Sequence, residues 1–104
     1  DVQAVHSLRR GVAEALEIVA RGDRKSSKVV GRKVSELRMP RDVHIGLIVH
    51  GLQQEGHAAL EPAQVIIPRS HTGIESNDHV VFFLPNKRLV QEVERLFRVS
   101  ATFF

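Results

Sequence analysis

Six histidines, His6, His44, His50, His57, His71 and His79, carry the most versatile chemistry in this sequence. Metal sites built on one element use short, fixed ligand spacings, and no two of these histidines stand at i,i+3 or i,i+4. No Asp or Glu completes a local ligand set. His44 and His50 fall on one face of a predicted strand, six residues apart, too far to share an ion unaided. The expectation is surface or interface histidines and no metal site. Asp78-His79 has the composition of an acid–base couple. Neighbours on a strand point to opposite faces, however, so neither can orient the other as a nucleophile's relay requires. Asp78 suits a structural role, accepting backbone N–H groups to close the turn that enters the strand. Ser26, Ser27, Ser35, Ser70 and Ser76 lie in no nucleophile-elbow context, and the seven glycines spell neither a dinucleotide fingerprint nor a phosphate loop. No catalytic constellation survives, and the chain reads as not an enzyme.

A site for a small anion is a different matter. Arg32 and Lys33 follow Gly31 at the start of a short predicted helix, where unpaired N–H groups and the helix dipole favour negative charge. Arg32, Lys33 and His50 are the candidate ligand-binding residues; solvated surface charge is the plain alternative. Gly31, Asn77 and Asp78 are the candidate turn residues. The net charge of +3 invites a nucleic-acid reading, but there is no Trp or Tyr to stack bases, and Lys and Arg are interleaved with Asp and Glu. No nucleic-acid partner is expected. The absence of cysteine excludes disulfides and thiolate metal sites. No apolar run is long enough to span a membrane.

The elements that position these residues read as one α+β domain over residues 1–104. Two runs of β-branched and aromatic residues, Val65-Ile66-Ile67 and Val80-Val81-Phe82-Phe83-Leu84, bracket a polar loop. They read as two strands of a hairpin, apolar on both faces and so requiring cover on both. Residues 43–50 form a third strand. Residues 52–62 carry no strand pattern and read as an extended, mobile loop. After Gly31 a short helix ends at Met39-Pro40. The clearest helix covers 87–98, capped by Asn86 and buried through Leu89, Val90, Val93, Leu96 and Phe97. Residues 22–28 lack an apolar anchor and read as a mobile loop before a core at 29–104. Residues 1–21 fit either an N-terminal hairpin or a strand followed by a helix, and local propensity favours the helix.

Val29-Val30-Gly31-Arg32-Lys33-Val34-Ser35-Glu36-Leu37-Arg38-Met39-Pro40 begins a pattern that continues through Ile45-Gly46-Leu47-Ile48-Val49-His50-Gly51, Val65-Ile66-Ile67-Pro68, Thr72, Ile74-Glu75 and Asp78-His79-Val80-Val81-Phe82-Phe83. In order and spacing it resembles the TrkA C-terminal domain family, the C-terminal half of RCK modules that regulate potassium channels and transporters. Ser7-Leu8-Arg9-Arg10-Gly11-Val12-Ala13-Glu14-Ala15 and Val93-Glu94-Arg95-Leu96-Phe97 resemble the Trk potassium-uptake branch of it. The resemblance implies a β-β-α-β-β-β-α order with a mixed or antiparallel sheet, and selects the N-terminal hairpin. It also implies a cytoplasmic regulatory domain, peripheral to the membrane, that gates a potassium-transporting subunit; the homodimer is expected from the two apolar faces of residues 65–84, which one helix cannot both cover. A small anionic or nucleotide ligand would sit between paired domains, although no residue set here matches the cyclic-dinucleotide site of some relatives. The family's nucleotide site lies in a preceding Rossmann half whose glycine motif is absent, so no cofactor is implied for this chain. Asn77 stands where the family usually has Gly, and residues 52–62 replace a short turn. The alternatives are a purely structural dimerisation domain, or the same domain on an anion or proton-coupled transporter.

Overall fold

The computed structural model describes residues 2–8, 13–52 and 62–100. Five strands form one antiparallel sheet: β1 (Val2–Leu8), β2 (Ala13–Val19), β3 (His44–His50), β4 (Gln64–Ile66) and β5 (His79–Leu84), with one helix, α1 (Arg88–Leu96). Their order across the sheet is β1-β2-β5-β3-β4. The expected α+β class and element order hold, as does the N-terminal hairpin. In β2 alternate residues decide the matter: Glu14, Leu16 and Ile18 are buried, while Ala13, Ala15 and Glu17 are half-buried. Burial with period two overrides the helical propensity of Ala, Leu and Glu.

Two expectations about the strands are corrected. Val65–Ile67 and Val80–Leu84 do not pair with one another, because β3 lies between β4 and β5 and bonds to both. Nor do His44 and His50 share a face. Ile45 faces Phe82 and Leu47 faces Val81, so Gly46 is an extra residue, a β-bulge that reverses the alternation. His44 consequently sits opposite Phe83, whereas His50 falls on the face of Ile48 and Ile66. Gly is required at the bulge because the Phe83 ring occupies the space a Cβ would take.

Among the described residues, one face of the sheet is covered and the other is not. Leu16, Ile18, Ile48, Val80, Phe82 and Leu84 meet Val93 of α1 and Phe97 at its C-terminal cap, together with Val29, Val30, Val43 and Ile74 from the connecting segments. Phe82 and Phe97 pack edge to face, with ring centroids 5.4 Å apart. Asn86 Oδ1 accepts the Arg88 amide at 3.0 Å, the capping expected at the start of α1. The opposite face carries Ala15, Leu47, Val49, Val81 and Phe83, and no element of the described residues lies over it. Val65 and Ile67, 67% and 71% exposed, extend that face at its edge. Of the cover expected on both faces, the described residues supply that of one.

The short helix expected after Gly31 is a single 3-10 turn, Val34–Glu36. Residues 22–28 remain a loop, tied down by hydrogen bonds in place of apolar anchors. Asp23 Oδ1 accepts the amides of Lys25 and Ser26 and the Ser26 hydroxyl. Buried Ser27 accepts the amides of Val29 and Val30. The expectation for residues 52–62 falls largely outside the described residues.

Candidate functional site

Asn77 and Asp78 build the first part of the site. Asn77 adopts φ 71°, the left-handed geometry that Asn tolerates second only to Gly. Its amide donates to Ala20 O at 2.6 Å, and its Oδ1 accepts from Arg21 Nη1 at 2.9 Å. That turn delivers Asp78 to the start of β5 with its carboxylate 2% exposed. Oδ2 accepts the Glu75 amide at 2.9 Å, as expected for a turn-closing aspartate, and the Asp78 amide returns to Glu75 O. The other oxygen, Oδ1, stands 2.6 Å from Nδ1 of His50, the last residue of β3. Glu75 Oε2 approaches the same nitrogen at 2.9 Å. With carboxylates as both neighbours, Nδ1 carries the proton and donates to them.

On the other face, His79 Nδ1 lies 2.7 Å from Glu17 Oε2, joining β5 to β2. Sequence reasoning reached His50 and Asp78 separately and missed Glu75. The three are brought together by pairing of Val49 with His79 across β3 and β5, a register no local spacing reveals.

Arg32 and Lys33 are placed elsewhere and do not act together. Arg32 lines a cavity of about 630 Å³ between the 3-10 turn and α1, with Lys28, Glu36, Arg38, Glu92 and Arg95 among its walls. Four cations against two carboxylates leave that cavity net positive. The Arg32 guanidinium is already held by backbone, its Nη1 donating to Ser27 O at 2.7 Å and Val30 O at 3.1 Å. Lys33 does not line the cavity. It bridges backbone-to-backbone with Gly73, and its amide donates to Glu36 Oε1. The expected helix start is a three-residue 3-10 turn, so the helix dipole that motivated an anion site there is not available. Gly31, at φ 78°, is the turn residue expected; its amide donates to Ile74 O and its carbonyl accepts the Arg24 guanidinium.

Residues 23–98 match the TrkA-C domain family, and the chain belongs to it. The similarity extends over the full chain to Trk system potassium uptake proteins TrkA. It is 44% identical over 104 residues to that of Halomonas elongata, and 46% and 44% over 103 residues to those of Vibrio alginolyticus and Haemophilus influenzae. These alignments cover 99–100% of the chain and 20% of each relative, so the chain spans about a fifth of their length. No helix among the described residues is long and apolar enough to cross a membrane.

Proposed function

We propose that this chain is a regulatory domain of a Trk-type potassium uptake system, working on the cytoplasmic side by pairing with a second copy of itself and without chemistry of its own. The observation that supports this is the uncovered sheet face. Leu47, Val49, Val81, Phe83 and Val65 form one apolar layer across β5, β3 and β4, and patches of this kind on a lone domain mark interaction surfaces. On that face Glu17 and His79 are already paired within the chain, so neither presents an uncompensated charge to an apolar partner; exposed His44, opposite Phe83, shares the face. A second copy fits these terms. Regulation then needs a ligand or membrane partner that distinguishes two arrangements of the pair, since equal affinity for both shifts nothing. The net-positive cavity beside α1 suits a small anion as that ligand, with Arg38 and Arg95 better placed than Lys33 to meet it.

The test uses Val65→Lys together with Ile67→Glu, both exposed positions whose substitution leaves the core intact. Light scattering is expected to show the wild-type chain as a dimer and the variant as a folded monomer. In the full-length uptake system the same variant is expected to alter potassium uptake. Wild-type uptake from a folded, monomeric variant refutes the pairing mechanism, and a monomeric wild-type chain at tens of micromolar refutes the dimer itself.

A further inference from the structure

We propose that His50, Glu75 and Asp78 form a binding site for a divalent transition-metal ion, a proposal that stands apart from the pairing mechanism above. The three side chains come from the end of β3, the loop before Asn77 and the start of β5, and their donor atoms all lie within 4.8 Å of one another. One imidazole and two carboxylates make a three-donor set of the kind that holds zinc with further positions open. The charge count agrees: with neutral imidazole the set carries two negative charges, which a divalent cation balances.

The arrangement has the supporting hydrogen bond that metal ligands use. Asp78 is buried, and the Glu75 amide holds its Oδ2, which leaves Oδ1 directed at His50. In the metal-free domain the Nδ1 proton occupies the centre of the cluster. An ion takes the place of that proton, as binding to imidazole requires. Donor atoms around a tetrahedral zinc stand roughly 3.3–3.5 Å apart. The present 2.6 and 2.9 Å separations therefore open by less than about 1 Å. With buried Asp78 fixed, the half-exposed His50 ring supplies the opening from Asp78, and Glu75, with 66% of its side chain exposed, supplies its own. The mixed nitrogen and oxygen donors favour zinc and its neighbours over magnesium or calcium.

None of this is visible in local spacing. The sequence expectation of no metal site rested on ligands within one element, whereas these three are joined by strand register.

The experiment is equilibrium dialysis of the chelator-stripped 104-residue chain against zinc chloride, with His50→Gln and Glu75→Gln as variants and Glu94→Gln, exposed on α1, as a carboxylate control. One zinc per chain is expected at micromolar concentration, unchanged in the control. Each site variant is expected to bind at least about tenfold more weakly, with unchanged far-ultraviolet circular dichroism. Retention of the wild-type affinity in either site variant assigns the zinc to other histidines and overturns the proposal. So does an absence of stoichiometric zinc binding by the wild-type chain, and displacement of zinc by equimolar calcium overturns the metal class.

Discussion

Glu14 is the most instructive residue to perturb. It stands on the core face of β2 opposite Leu84, is 1% exposed, and neither carboxylate oxygen has a hydrogen-bond partner among the described residues. An unpartnered buried polar group costs about 1–3 kcal/mol, and more when it is charged. Glu14→Leu removes that cost, keeps a side chain of similar length, and presents apolar surface to Leu16 and Leu84. Strain from the branched end offsets part of the gain. The expected net is stabilisation of about 1–3 kcal/mol, which in a domain of this size raises the melting temperature by roughly 4–8 °C per kcal/mol. Glu14→Gln separates charge from shape: it leaves a buried amide equally unpartnered and is expected to recover at most about half of the effect. Thermal melts followed by circular dichroism, with urea titrations to confirm an unchanged slope, decide the matter. A Glu14→Leu chain that melts below wild type shows that the carboxylate contributes to the fold, and the reasoning fails.

Three further outcomes are expected. Asn77→Val, forced to φ 71°, should destabilise the domain by about 1–2 kcal/mol, whereas Asn77→Gly should lie within about 0.5 kcal/mol of wild type because it loses only an exposed bond from Arg21; equal melting of all three chains refutes the turn. Phe97→Ala should cost about 3–5 kcal/mol by emptying the space against Phe82, read from the urea midpoint. The amide of Ser26, then its hydroxyl and the Lys25 amide, hold the Asp23 carboxyl below its ordinary range. Its contribution is accordingly full above the unfolded value of about 3.9 and disappears as pH falls through the lower folded value; an NMR titration of Asp23 with a midpoint at or above the ordinary value contradicts this.

Punctuation was the most legible part of the sequence. Gly31, Asn77 and Asp78 each have few conformations or bonding patterns available, so residue type alone indicated the turns, and α1 followed from the period of its apolar residues; β2 fitted both a strand and a helical period, and only the family resemblance selected the strand. Strand partnership was not legible. Nothing local distinguishes β4 next to β5 from β3 between them, because hairpin proximity and the actual sheet order bury the same side chains. The bulge at Gly46 was hidden for a related reason: one inserted residue moves His50 to the opposite face while leaving residues 43–50 strand-like throughout. The meeting of His50 with Glu75 and Asp78 depends on both.

The position of β5 also bears on how the domain is made. It is the last strand in the chain and the middle one in the sheet, pairing Val19 with His79 and Glu14 with Leu84 across sixty and seventy positions. Closing a loop of that length costs about 3–4 kcal/mol before any contact across it forms. The β1–β2 hairpin and the β3–β4 pair can form locally as they leave the ribosome, yet neither pairs with the other in the sheet. Folding is therefore expected to be slow for so small a chain, with its rate set by the docking of β5 between two waiting pairs. Substitutions at Val80 and Phe82 should slow folding more than they speed unfolding. A ribosome-bound chain that has emerged only as far as Asp78 holds two half-sheets and nothing to join them.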